Sequence, residues 1–163
     1  MIKNSYSNLN NKIIIIDDVL SKENCEKLIN YYTTISPSGE WFSTFPLNID
    51  LSLIFFNQIV EKIEKSINEC LDPKIKVDWC QIVKWPVESY QLPHYDTASD
   101  KTVFTSITYL NQDYVGGETF FVDDMKITPK LGRTLCFDGN FRRHGVSRVT
   151  EGIRFTLPIW YKL

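Results

Sequence analysis

The chain has 163 residues, 43% of them hydrophobic, and its 18 basic and 20 acidic side chains leave a formal charge of −2. That is the size of one ordinary domain able to bury a core, and the lack of a basic excess excludes a dedicated nucleic-acid binder, which has to neutralise phosphates. The longest aliphatic run, 13–16, is far short of the roughly 20 residues of a membrane span, so no membrane partner is expected.

No linker, repeat or low-complexity tract divides the chain, which reads as a single domain over 1–163 with a loose polar tail at 1–12. Residues 12–20 read as a short apolar strand. Ser21 offers an N-cap, and Cys25, Leu28, Ile29 and Tyr32 recur at helical spacing to about residue 34. Pro37 and Gly39 break that helix. Asp50 reads as the cap of a second helix with the apolar stripe Leu51, Ile54, Phe55, Ile59, Ile63, Ile67, Cys70 and Leu71. Asp72-Pro73 stops it. The apolar period then changes from helical to alternating, and residues 74–83, 102–110, 118–122, 133–137 and 152–161 read as strands between turns rich in Gly, Asp, Asn and Pro. Two helices followed by short strands predict an α+β, mainly β fold. The expected architecture is a jelly roll, or double-stranded β-helix, with N-terminal helices packed on one sheet.

The four cysteines, Cys25, Cys70, Cys80 and Cys136, form no C-x-x-C pair and read as small buried apolar side chains in a reducing compartment. No apolar signal-peptide core follows Met1. The 18 Ile, 13 Lys and 11 Asn residues suggest an AT-rich genome. The expected location is therefore the cytoplasm of a bacterium or a phage-infected host.

Chemistry concentrates around the two histidines. In Leu92-Pro93-His94-Tyr95-Asp96 an extended backbone turns His94 and Asp96 to the same side. His144 follows a strand and a turn, in Arg142-Arg143-His144-Gly145-Val146, and a jelly roll can bring it to the same mouth. Two His and one carboxylate on one face of a metal leave the opposite positions free, as Fe(II) needs when it binds a chelating substrate and O2. An isolated H-x-D triplet is also common on surfaces. The discriminating residue is Arg154, on a strand where Arg154, Thr156, Pro158 and Trp160 share one face. An arginine turned into an apolar barrel mouth is costly unless it meets an anion, and its planar fork matches a carboxylate.

The order His94-x-Asp96, Gly116-Gly117-Glu118-Thr119, His144-Gly145-Val146 and Arg154-Phe155 resembles the Fe(II)/2-oxoglutarate-dependent dioxygenases, and among them the prolyl 4-hydroxylase group. The resemblance runs from about Ile14 to Tyr161. It implies that His94, Asp96 and His144 ligate iron and that Arg154 holds the distal carboxylate of 2-oxoglutarate. It also implies that Tyr109 and Thr119 line the co-substrate pocket, each being equally readable as an ordinary strand residue. Trp160 matches an aromatic of the last strand that packs or contacts substrate. The implied reaction is hydroxylation of an unactivated C–H, most simply of a prolyl residue in a protein or peptide. Succinate and CO2 are released, and ascorbate is the implied reductant.

Two positions depart from the family pattern. Trp85 stands where a tyrosine usually helps to bind 2-oxoglutarate, and an indole has a donor but no hydroxyl. Tyr90 sits one place early relative to His94 for a tyrosine near the substrate. Arg142, Arg143 and Arg148 read chiefly as solvated loop charges, with Arg142 a candidate substrate contact. A nucleic-acid repair enzyme of the superfamily would place a second arginine where this chain has Trp160. Two further readings stay open: an oxygenase acting on a free amino acid or other small metabolite, and a non-redox metal-binding jelly roll.

Overall fold

The computed structural model describes residues 12–37, 39–72, 74–96 and 102–163. Most of the loose tail expected at 1–12 lies outside them. Among the described residues no helix is long and apolar enough to cross a membrane.

Strand β1 (Ile13–Ile16) leads into helix α1 (Lys22–Ile35). Ser21 caps α1 as expected, its Oγ accepting the Asn24 N–H, and Cys25, Leu28 and Tyr32 face the core. The helix ends where Ser36 turns left-handed and donates its N–H to Tyr32 O. Strand β2 (Phe45–Asn48) precedes helix α2 (Ile54–Asn68).

Helix α2 corrects the expectation at both ends and on its face. The Asp50 carboxylate accepts the nearby Ser52 N–H and closes a local turn instead of capping the helix, which begins at Ile54 behind Leu53. It ends at Asn68, before Asp72, and Pro73 lies outside the described residues. With this phase Phe56, Ile59, Val60, Ile63 and Ile67 are buried, whereas Ile54 is 76% exposed and Cys70 is exposed.

Ten further strands follow. They are β3 (Lys76–Trp85), β4 (Gln91–His94), β5 (Phe104–Tyr109), β6 (Val115–Gly116), β7 (Thr119–Phe121), β8 (Lys126–Ile127), β9 (Thr134–Phe137), β10 (His144–Val146), β11 (Val149–Glu151) and β12 (Arg154–Lys162). One sheet runs β1-β9-β5-β12-β3-β2 and a second runs β4-β10-β7-β8, all pairs being antiparallel; β11 and β6 form a two-stranded ribbon. Both helices pack on the outer face of the larger sheet, α1 against β3 and α2 against β3 and β1. Leu28, Ile63, Ile67, Ile82, Leu157, Ile159 and Tyr161 lie in that core. Between the sheets a second cluster joins Ile107, Tyr109, Leu135 and Phe137 to Phe121 and Ile127. The result is the expected jelly roll with helices on one sheet.

β12 serves both layers. Phe155, Leu157, Ile159 and Tyr161 enter the helix-side core, and Arg154, Thr156, Pro158 and Trp160 line a cavity between the sheets. Period-two alternation thus forces a cation to the inner face wherever its neighbours are needed outside.

Candidate active site

His94 ends β4, His144 opens β10, and the two are cross-strand partners with ring centroids 4.4 Å apart. Each ring's Nδ1 meets a main-chain carbonyl two residues back, Leu92 O at 2.9 Å and Arg142 O at 3.0 Å. A carbonyl only accepts, so Nδ1 carries the proton and, in the neutral ring, the Nε2 lone pair is free. Asp96 lies just past β4, donates its N–H to Gly139 O at 2.8 Å, and sets its carboxylate oxygens 3.3 Å from His94 Nε2 and 3.6 Å from His144 Nε2. The three candidate ligand atoms fall within 4.8 Å of one another. A Cβ added at Gly139 would stand 2.6 Å from Thr105 Oγ1 and 2.8 Å from Asp96 Cβ, so only glycine lets the chain pass this close.

Burial opposes ionisation of Asp96, yet the His94 hydrogen bond and the His144 charge outweigh it and lower its pKa. At His144 desolvation wins over the attraction of Asp96, and the pKa falls. Desolvation also acts on His94, but its bonds to Asp96 and the Leu92 carbonyl raise its pKa. An ionised carboxylate facing the Nε2 atoms of two imidazoles suits a divalent cation once His94 gives up its Nε2 proton, and this donor set with open positions suits Fe(II).

Arg154 is the largest fully buried side chain of the described residues. Its Nη2 donates to Thr119 Oγ1 at 3.3 Å, and its Nε and Nη1 have no hydrogen-bond partner among the described residues. The guanidinium is 4.6 Å from the Trp85 ring centroid and 5.5 Å from that of Tyr109, whose hydroxyl donates to the same Thr119 Oγ1 at 2.9 Å. Gly117, at φ +63°, leaves the room this side chain fills: a Cβ there would be 2.9 Å from Arg154 Cδ. A buried guanidinium with two unspent donors in the same cavity as the triad fits a carboxylate.

The structure changes the expected part of Trp85. Its indole N–H is spent on Thr156 Oγ1 at 3.1 Å, and its ring face supports Arg154. Tyr109 and Thr119 are buried beside Arg154 through these bonds, and neither is among the residues lining the cavity. Tyr90 lines the cavity with Arg148 4.8 Å from its ring centroid, and Arg148 is itself paired with Glu88 at 2.6 Å. Arg142 does not line the cavity: it pairs with Asp123 at 2.9 Å and lies 5.0 Å from the Phe121 ring centroid. Trp160 lines the cavity and stacks on Trp79 at 3.9 Å with the planes 4° apart.

Four residues of the site went unread in the sequence. Trp79 meets Trp160 only through the β3–β12 register. Tyr114 turns its hydroxyl inward, buried and without a partner among the described residues; burial pushes its pKa up against the opposing Arg154 charge. Trp41 and Phe42 stand at the cavity rim. The cavity measures about 960 Å³, and its wall is mostly apolar and aromatic.

The sequence profile of the 2OG-Fe(II) oxygenase superfamily matches residues 80–162, which takes in the triad and Arg154. The chain belongs to this superfamily. Fe(II) and 2-oxoglutarate are the cofactor and co-substrate that the family and the triad imply. Human prolyl 3-hydroxylase 2 is 33% identical to this oxygenase over 100 residues, covering 57% of the chain and 14% of the relative. Human prolyl 3-hydroxylase 1 is 28% identical over 125 residues, 72% of the chain and 16% of the relative. The oxygenase thus spans about a sixth or less of the length of these curated relatives. In structure it resembles the viral collagen prolyl hydroxylase of Paramecium Bursaria Chlorella virus-1 in its 2OG complex, with TM-score 0.77 and 23% identity over 94% of this chain and 98% of that one. A Pseudomonas putida prolyl-4-hydroxylase matches with TM-score 0.74 and 17% identity over 92% and 91%.

Proposed function

We propose that this oxygenase hydroxylates a prolyl residue within a protein or peptide, consuming 2-oxoglutarate and O2 and releasing succinate and CO2. In this reading residues 1–163 act as one oxygenase domain, and ascorbate keeps the metal reduced. His94, Asp96 and His144 hold Fe(II), and Arg154 with Thr119 and Tyr109 takes the distal carboxylate of 2-oxoglutarate. Bound iron supplies the redox chemistry that couples decarboxylation of the keto acid to oxygen insertion. The protein supplies position. The Nδ1 bonds fix both imidazole planes, Arg154 sets the depth of the keto acid, and the apolar walls exclude water and orient the C–H.

The observation that carries the choice of substrate is the cavity wall. Apart from the triad and Arg154, no charged side chain is among its lining residues within the described part of the chain. A free amino acid would bring an ammonium and a carboxylate and leave both without a partner. An internal peptide residue brings neither, and aromatic walls suit proline-containing segments, which arrive already extended. The relatives named for prolyl hydroxylation support the same substrate. The four free cysteines support a reducing compartment, the cytosol.

The test begins with anaerobic thermal unfolding, Mn(II) standing in for Fe(II), with and without 2-oxoglutarate. A shift requiring both and lost in His94→Ala and Arg154→Ala is expected. Proline-containing peptides and free amino acids are then turned over with Fe(II), and products are scored for the mass of one added oxygen. Hydrolysis separates 3- from 4-hydroxyproline. Turnover of a free amino acid in preference to every peptide would overturn the substrate assignment.

A further inference from the structure

The Tyr114 hydroxyl is buried and makes no hydrogen bond among the described residues, although a buried phenol normally finds a partner. Its segment is fastened to the residues on either side of Arg154. Asn111 Nδ2 donates to Ile153 O and to Asp113 Oδ1, both at 2.7 Å, and Asn111 Oδ1 accepts the Phe155 N–H at 2.8 Å. Arg154 lines the cavity and Tyr114 does not, so the phenol stands behind the guanidinium as seen from the triad. The two side chains approach each other at one glycine. A Cβ on Gly117 would be 2.9 Å from Arg154 Cδ and 3.2 Å from Tyr114 Cε2. The first of these carbons carries Nε, and the second adjoins the carbon that bears the hydroxyl. The Arg154 charge also opposes the rise that burial gives the Tyr114 pKa, as a neighbouring cation must.

A guanidinium can form a fork on two edges, Nε with Nη2 or Nη1 with Nη2. Thr119 Oγ1 already takes an Nη2 N–H, while Nε and Nη1 are buried without partners among the described residues. A carboxylate arriving through the cavity satisfies one edge. When it takes Nη1 and Nη2, the Nε–H is left over in a dry interior, which is costly unless an acceptor stands behind it. The Tyr114 oxygen is an unspent acceptor on that side. Resting on the reading of Arg154 as the anchor of the distal carboxylate of 2-oxoglutarate, we propose that Tyr114 is a positioning residue for the co-substrate. Its hydroxyl accepts the Arg154 Nε–H when the keto acid is bound and so turns the Nη1–Nη2 edge toward the carboxylate. A hydroxyl that bonds nothing within the fold adds nothing to the fold. Its contribution is felt only with the keto acid, and only through Arg154.

The experiment separates the ligand from the fold. Calorimetric titration of the Mn(II)-loaded full chain measures affinity for 2-oxoglutarate and for 2-oxopentanoate, which has the same chain length but ends in a methyl group. Tyr114→Phe is expected to weaken 2-oxoglutarate about tenfold and to leave 2-oxopentanoate within about twofold. Thermal unfolding without keto acid is expected to give Tyr114→Phe the Tm of wild type or a higher one, because no bond is lost. Tyr32→Phe is the control for a phenol bonded within the fold, to Phe45 O at 2.8 Å; it lowers that Tm and leaves both affinities unchanged. Lysine has a methylene where arginine has Nε, so in an Arg154→Lys background Tyr114→Phe costs less than about twofold. Equal 2-oxoglutarate affinity in wild type and Tyr114→Phe would overturn the proposal. So would a loss shared by both keto acids, a lower Tm without keto acid, or a loss undiminished in the Arg154→Lys background, each of which assigns the hydroxyl to the fold. Undiminished 2-oxoglutarate affinity in Arg154→Ala would instead overturn the reading of Arg154 as the anchor.

Discussion

The Arg154 guanidinium lies 4.6 Å from the centroid of the Trp85 ring, while the Trp85 N–H is committed to Thr156. In the proposed 2-oxoglutarate pocket Trp85 would thus serve with its face. A desolvated cation–π contact is worth about 2 kcal/mol, a factor of about 30 in affinity. Trp85→Phe keeps a face and drops the donor, and its 2-oxoglutarate affinity is expected within about threefold of wild type; Trp85→Ala is expected to lose about 30-fold. Calorimetric titration of the Mn(II) protein decides. An equal loss in Trp85→Phe and Trp85→Ala would assign the role to the N–H.

Removing the metal has a calculable cost. At about 100 times Kd a ligand adds about 2.7 kcal/mol, which for this size of chain is on the order of 5–10 °C in midpoint. Chelation is expected to lower the Tm of the Mn(II) protein by that amount and to leave His144→Ala unmoved. Arg154→Ala keeps the metal increment and loses the 2-oxoglutarate increment. Arg154→Lys keeps charge without the fork and recovers part of it.

Gly139 permits the close approach beside Asp96. In Gly139→Ala the new methyl meets Asp96 Cβ and Thr105 Oγ1 at under 3 Å, so the carboxylate must move. Mn(II) affinity is expected to fall about tenfold, with a stability loss of about 1–3 kcal/mol typical of overpacking. Gly39→Ala, with nothing within 4 Å, is the control. An unchanged metal titration in Gly139→Ala would show that Asp96 does not need its present position.

Asp17 answers to pH. Hydrogen bonds from Arg133 and Lys130 lower its pKa to about 2. Because the folded pKa lies below the unfolded value of about 3.9, its stabilising contribution is complete above pH of about 4 and is lost as pH falls toward 2. Asp17→Asn is expected to flatten the acid side of the stability profile in that window, and the difference shrinks in salt because the pair is exposed. Identical profiles in urea melts from pH 2 to 5 would remove this link between the ends of β1 and β9.

The cysteines divide sharply. Burial raises the Cys25 thiol to about 11 and the Cys80 thiol to about 12, and Cys136 is buried as well, whereas Cys70 is exposed. One thiol is expected to react with an aromatic disulfide reagent in the native protein and all four after denaturation. Fast reaction of a second thiol would place a local opening at α1 or β3.

What the sequence carried depended on whether the signal was local. His94 and Asp96 were readable because an extended backbone sets i and i+2 on one side, and Arg154 because β12 alternates cleanly. The helices were placed by period, but Asp50 misled: its carboxylate found the N–H of Ser52 before any helical donor. Arg142 misled for a different reason, since its partner Asp123 comes from the β7–β8 hairpin, and such a pairing has no signature along the chain. The pairing of Trp79 with Trp160, the inward hydroxyl of Tyr114 and the role of Trp85 exist only once strand register is set.

The two histidines stand in facing positions of an antiparallel pair formed by segments 50 residues apart, with β5, β7 and β9 between them in the chain. The ligand cage therefore exists only where β4 and β10 are paired, and neither helix supplies any part of it. Metal loading is then felt on the way out of the native state. A cation bound there is expected to lengthen the lifetime of the folded protein by slowing its unfolding and to leave the speed of its formation nearly untouched, which unfolding and refolding rates with and without Mn(II) would check.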